Sequence, residues 1–148
     1  MIVKSLTPAR GELSGKEFLL PVRVYYEDTD AEGIVYYVNY LKFAERCRSE
    51  FLHFLGEHQQ ENLQSEDRVG WVVRHCEIDY LKSAVLDDDL VVSCQVIKVG
   101  HASILLHQEI RRESEILATV DLKVVYLSIK DKKPLKISPE MVKKLMVC

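Results

Sequence analysis

No stretch of this 148-residue sequence approaches the roughly 18 consecutive apolar residues that a membrane-crossing helix requires. Residues 1–17 carry Lys4 and Arg10 but no apolar run of the length of a secretory leader. Neither sign of charge dominates: 20 basic and 23 acidic residues are mixed along the chain for a net charge of −3. That balance supplies no basic field for nucleic acid or for an anionic membrane surface. A CxxC pair is also missing. Cys47, Cys76, Cys94 and Cys148 are too dispersed for zinc or disulfide exchange and read as buried thiols in a reducing compartment, so a cytoplasmic protein is expected. G-x-S-x-G, H-E-x-x-H, the P-loop and G-x-G-x-x-G are absent, which removes the main support for serine-triad, zincin and nucleotide-binding chemistry. The five histidines, His53, His58, His75, His101 and His107, are scattered and read as surface or strand residues rather than ligands.

What is present is a chain 47% hydrophobic, enough for one domain over residues 1–148 to bury a core. Its organising stretch is Val22 to Leu55. Val22, Arg23, Val24, Tyr25 and Tyr26 are mostly β-branched or aromatic and predict a strand, placed at about 18 to 26. Glu27, Asp28, Thr29, Asp30, Ala31, Glu32 and Gly33 then break the pattern as an acidic turn that leads into a helix. From Tyr40 the apolar residues Tyr40, Phe43, Ala44, Cys47, Phe51, Phe54 and Leu55 fall at the three-and-four spacing of one helical face over 40–55.

The flanks are simpler. Pro8, Gly11 and Gly15 among polar residues make 1–17 a loose N-terminal extension, and Pro21 points to a strand that begins late or lies at an edge. Gly56 to Arg68 is polar and should be a surface connection. Beyond it the alternation is nearly continuous, with Cys76, Ile78 and Tyr80, then Leu90, Val92, Cys94 and Val96, then Ile104, Leu106 and Ile110. Ile116, Ala118, Val120, Leu122, Val124 and Tyr126 complete the series, and Ser138 before Pro139 and Glu140 predicts the cap of a short terminal helix. One helix followed by successive strands and short turns is α+β: an antiparallel meander of about five strands around one long central helix.

The acidic turn admits several chemistries. Asp28, Asp30, Glu32 and Gly33 match the start of an EF-hand loop, but its twelfth position is Asn39 instead of a bidentate Glu, and a strand precedes it. A strand ending in D-x-D also resembles the haloacid dehalogenase phosphatases, with Asp28 as nucleophile and Asp30 as acid/base. That fold needs alternating strands and helices, which the later chain lacks. The remaining chemistry uses the helix N-terminus, whose unpaired N–H groups and partial positive charge can bind a developing oxyanion beside a carboxylate. Against it stands a purely architectural turn, in which Asp28 and Asp30 shape the loop and favour the helix dipole.

The segment VRVYYEDTDAEGIVYYVNYLKFAERCRSEFL resembles the signature of hotdog-fold acyl-CoA thioesterases, in particular the 4-hydroxybenzoyl-CoA thioesterase-like group that includes the bacterial Tol-Pal-associated thioesterases. The likeness implies a helix wrapped by an antiparallel sheet, an acyl-CoA substrate, no cofactor or metal, and a homodimer or homotetramer with active sites between subunits. By resemblance Asp30 falls on the catalytic aspartate, and Gly33 on the glycine of the turn. Tyr37 falls on the position whose backbone N–H is associated with the thioester carbonyl, and Tyr26 on an aromatic at the substrate side of the turn. Tol-Pal-associated members usually carry His where this chain has Tyr37. The segment Val99 to Ser103 lacks the basic residues that hydroxybenzoyl-type enzymes place there for coenzyme A phosphates. A non-catalytic acyl-CoA-binding or protein-binding hotdog module is the competing expectation.

Overall fold

The helical stripe becomes α1 (Asn39–Phe54) in the computed structural model, which describes residues 10–147. Tyr40, Phe43, Ala44, Cys47 and Phe51 are all buried along it, and Leu55 is buried just past its end. Phe54 departs from the expected stripe: it is exposed and leans on Phe18 with 5.5 Å between ring centres. Phe18, Phe43 and Phe51 each have about 1% exposure or less, and burying a side chain of that size is worth about 1.5–3 kcal/mol. The core therefore hangs on this helix.

Beneath it, among the described residues, lies one antiparallel sheet of seven strands. Five are long, as expected: β2 (Glu17–Arg23), β3 (Val69–Tyr80), β4 (Asp89–Val99), β5 (Ser103–Arg112) and β6 (Glu115–Ser128), and the short β1 (Glu12–Ser14) and β7 (Lys133–Pro134) add to them. The order is β1-β2-β4-β5-β6-β3, with β7 on β6. Only β4, β5 and β6 form the expected meander. The helix connects β2 to β3, and these two strands lie on opposite flanks of that meander. Pairing is antiparallel in every ladder, so the parallel α/β sheet required by the haloacid dehalogenase reading is not this fold.

Alternation places Leu90, Val92 and Cys94, then Ile104, Leu106, Gln108 and Ile110, then Ala118, Val120, Leu122 and Val124 against the core. The helix α1 packs chiefly on β2, β4 and β5. That footprint explains one departure from the alternation. β3 was expected to bury one face, yet Val72, Val73, Cys76 and Tyr80 are exposed, and only Trp71 and Ile78 pack partly against the core. The strand sits at the sheet's edge, outside the main cover of α1, with a bulge between Val73 and His75. Cys76 is accordingly not the buried thiol expected, whereas Cys47 and Cys94 are; Cys148 lies outside the described residues.

Two further expectations change in detail. Residues 1–9 of the expected loose extension lie outside the described residues, but Glu12–Ser14 is an ordered strand paired with Glu17–Leu19. Pro21 lies beyond that pairing, where among the described residues β2 has only β4 beside it. The 56–68 connection contains a short helix, α2 (Gln59–Gln64). At the other end α3 (Pro139–Val147) starts as expected, its Met141 N–H donating to the Ser138 hydroxyl at 3.1 Å. Among the described residues no helix is long and apolar enough to cross a membrane.

Candidate active site

The strand expected to reach Tyr26 stops at Arg23, and the chain enters a single 3-10 turn at Tyr26–Asp28. The reason is local. The Tyr25 N–H donates to Asp28 Oδ2 at 2.8 Å, so the carboxylate closes the turn on itself. Thr29 secures it further by donating its hydroxyl to the Tyr26 carbonyl at 3.0 Å.

Asp30 opens a second turn. Its Oδ1 accepts the Glu32 N–H at 2.8 Å, its carbonyl accepts the Gly33 N–H at 3.0 Å, and its own N–H donates to Ile34 at 2.9 Å. Gly33 has φ +81, and a Cβ built there meets nothing within 4 Å. Backbone conformation, not crowding, is what calls for glycine. Bridges between Thr29 and Val35 and between Ile34 and Val85 anchor the loop to the body of the fold. Asp30 is thereby half-buried on a short, closed hairpin turn.

The acidic residues were expected at the helix start, but α1 begins only at Asn39 and its first turn holds no acidic residue. Val38 at the N-cap makes no side-chain cap. The two regions are instead joined through one carbonyl. The buried Asn39 amide donates to the Asp28 carbonyl at 2.8 Å, and the Tyr36 N–H donates to the same oxygen at 2.9 Å. Tyr36 also registers its neighbours electrostatically. Its phenol is held above the ordinary tyrosine value by the charge of Tyr37, by their hydrogen bond, by burial and by the negative charge of Asp30.

An aromatic cluster continues from there. Tyr36 and Tyr37 rings lie 4.9 Å apart, Tyr37 and Tyr80 6.0 Å, and Tyr80 and Tyr40 5.6 Å. The Tyr80 hydroxyl donates to the Tyr37 carbonyl at 3.1 Å. The turn thus brings Asp30, Gly33 and Tyr37 together on one continuous segment. Tyr26 stands apart: it is 84% exposed, and its ring takes no part in the cluster's ring contacts. Asn39 and Tyr80 had no signal of their own, because Asn39 reads as one polar residue at the edge of an apolar stripe and Tyr80 as one step of a strand alternation. Among the described residues no three of His, Cys, Asp and Glu converge as metal ligands.

The thioesterase superfamily matches residues 32–119, from just after Asp30 into β6. The acyl-CoA thioesterase YbgC of Haemophilus influenzae is 42% identical over 124 residues, 84% of this chain and 90% of that protein. The chain belongs to the thioesterase superfamily. Its reaction class is therefore thioester hydrolysis. The acyl-CoA thioester hydrolase YbgC of Escherichia coli is 36% identical over 131 residues, 88% of this chain and 92% of that protein. A probable thioesterase from Bartonella henselae superposes with a TM-score of 0.77 at 30% identity, over 81% of this chain and 98% of its own. A 1,4-dihydroxy-2-naphthoyl-CoA thioesterase from Synechocystis superposes with a TM-score of 0.81 at 20% identity, over 88% of this chain and 96% of its own, and speaks for the hotdog fold alone.

Proposed function

We propose that the protein hydrolyses an acyl-CoA thioester to a free carboxylic acid and coenzyme A, with Asp30 as nucleophile or general base and the Tyr37 backbone N–H as oxyanion donor. The observation that supports this reading is that Asp30 sits half-buried on a closed turn whose chain runs on through Tyr37 into the start of α1, a helix with no side-chain cap. An oxyanion formed there meets the positive end of α1 without a competing carboxylate in the first turn. Asp28 has a structural task, since its carboxylate closes the preceding turn. Gly33 shapes the turn, and the exposed Tyr26 is assigned a substrate contact by the family resemblance alone.

The chemistry balances along either route. As a general base, Asp30 takes a proton from water while the water oxygen bonds to the acyl carbon; the C–S bond then breaks, and the departing coenzyme A thiolate takes up the proton that Asp30 holds. As a nucleophile, an Asp30 oxygen bonds to the acyl carbon and expels the thiolate, and water then cleaves the resulting anhydride.

The homodimer or homotetramer belongs to the same reading. β3 pairs only with β6 among the described residues and offers a free edge of about 40 Å with Val72 and Val73 uncovered. A second copy of the chain would cover it. Among the described residues the buried thiols of Cys47 and Cys94 and the exposed one of Cys76 suit the reducing cytoplasm, where we place the protein.

Thiol release from a panel of short aliphatic, long-chain and aromatic acyl-CoAs tests the activity. Turnover with at least one of them is expected, with its rate unaffected by chelators. Binding of acyl-CoA with no thiol release from any would favour a non-catalytic module.

A further inference from the structure

Two side chains outside the expected site converge on the segment that would bind the oxyanion. The bonds that start α1 are tight: the Asn39 N–H goes to the Tyr36 carbonyl at 2.8 Å and the Leu41 N–H to the Val38 carbonyl at 3.0 Å. Both span three residues, and together they skip the Tyr37 carbonyl. That carbonyl takes the Tyr80 hydroxyl at 3.1 Å instead, from the last residue of β3. On its other side the segment is held by Asn39, only 8% exposed, whose amide reaches across to the Asp28 carbonyl at 2.8 Å.

Orientation is at stake in these bonds. A peptide N–H binds an oxyanion well only when it points at the place where the charge develops, and a donor lost or turned away costs about a hundredfold or more in kcat. Peptide planes rotate about φ and ψ, so an unfastened turn would let Tyr37 and Val38 N–H groups swing. Tyr80 fastens the Tyr37 carbonyl, whose peptide plane carries the Val38 N–H. The Tyr37 N–H lies in the plane of the Tyr36 carbonyl, which the Asn39 N–H holds, and the Asn39 amide ties that residue to the loop carrying Asp30. We propose that Tyr80 and Asn39 are positioning residues of the thioesterase reaction, which together hold the Tyr36–Asn39 turn in register with Asp30.

This inference rests on the reading of Asp30 and the Tyr37 N–H given above, and adds that their relative placement depends on the edge strand β3. The phenol is suited to a pure donor's role. Burial and then the nearby Tyr37 hold its pKa above the ordinary tyrosine value, so it stays protonated through neutral pH. Neither residue then exchanges a proton with the substrate, and the pH profile should not register them.

Tyr80→Phe is the decisive variant, because it keeps the ring contacts to Tyr37 and Tyr40 and deletes only the hydroxyl. The expected result is a fall in kcat of about tenfold at unchanged KM, with the unfolding temperature and the shape of the kcat–pH profile unchanged. Asn39→Ala should lower kcat similarly. The double variant should lose less than the product of the two single losses, since both act on one turn. Should Asn39→Ala fail to fold, Tyr80→Phe decides alone. Wild-type kcat in Tyr80→Phe, or a loss that falls on KM instead, overturns the proposal. Asp30→Asn run in parallel separates the two failures. If it is inactive while Tyr80→Phe retains full kcat, the positioning role is wrong and the site reading stands. If Asp30→Asn retains full activity, the site reading itself fails.

Discussion

The acidic turn and the edge strand β3 are both exposed, yet they are exposed in different ways. In the turn, the polar groups answer one another: Tyr25 with Asp28, Asp30 with Glu32 and Gly33, Asn39 with the Asp28 carbonyl. Its conformation is over-determined, and the carboxylate it presents is held in place before any substrate arrives. In β3 the backbone ladder is complete on one side only among the described residues, and Val72, Val73 and Tyr80 are left more than a third exposed. The turn is a finished device, and the strand is half of one. Tyr80 links the two, at the end of the unfinished strand and bonded to the Tyr37 carbonyl on the segment between the turn and α1.

The comparison breaks most readily at the strand. Val73→Asp puts a charge in the middle of the proposed subunit contact, and burying an unpaired charge costs several kcal/mol. Self-association measured by sedimentation should weaken at least a hundredfold, with the isolated fold intact because Val73 is already exposed. A wild-type protein that is monomeric at micromolar concentration would contradict the pairing outright.

A smaller effect is expected in the turn. Gly33→Ala forces a Cβ into left-handed backbone at a cost of about 1–2 kcal/mol, although open space surrounds it. Stability should fall by that amount in chemical denaturation, and turnover with it as Asp30 shifts. Gly33→Asn should recover much of both, since Asn tolerates this conformation best among the alternatives. Equal losses for Ala and Asn would mean that the glycine is needed for space and not for backbone.

The smallest effect lies on the outer face of the sheet, away from both regions. His107 sits between Asp121 at 2.7 Å and Glu109 at 3.0 Å, one carboxylate on each ring nitrogen. Only the imidazolium can donate to both. Burial opposes that charge, but the hydrogen bonds and charges of Glu109 and Asp121 outweigh it and hold the His107 pKa above its ordinary value. A raised folded-state pKa stabilises fully below the unfolded value of about 6.5 and fades as pH rises through the folded value. His107→Gln should therefore destabilise by under about 1 kcal/mol at pH 6 and by less at pH 9, with turnover unchanged. A larger loss at the higher pH would reverse the sign of the account.

Much of this was legible in the residues. The spacing of Tyr40, Phe43, Ala44, Cys47 and Phe51 marks the helix because a buried face repeats with the helical turn, and Ala118 to Val124 marks β6 because burial alternates along a strand. Asp30, Gly33 and Tyr37 were visible as a compact pattern. The order of the strands was not, since which ladder β3 joins depends on how the chain crosses α1. The exposure of β3 was hidden for a related reason: alternation reports that a face is apolar, not that the same chain covers it. Asn39 and Tyr80 were invisible because their partners are backbone carbonyls 11 and 43 residues away.

The central claim is that Asp30, not Asp28, carries the chemistry. Steady-state thiol release by purified Asp30→Asn and Asp28→Asn, each checked for folding, tests it most directly. Asn keeps the size and turn preference of Asp, so both variants should fold. The account predicts a loss of about a hundredfold or more in Asp30→Asn, the scale of a missing general base or nucleophile. Asp28→Asn, in which the amide oxygen can still accept the Tyr25 N–H, should lose far less. Near wild-type turnover in Asp30→Asn beside an inactive Asp28→Asn would contradict the account.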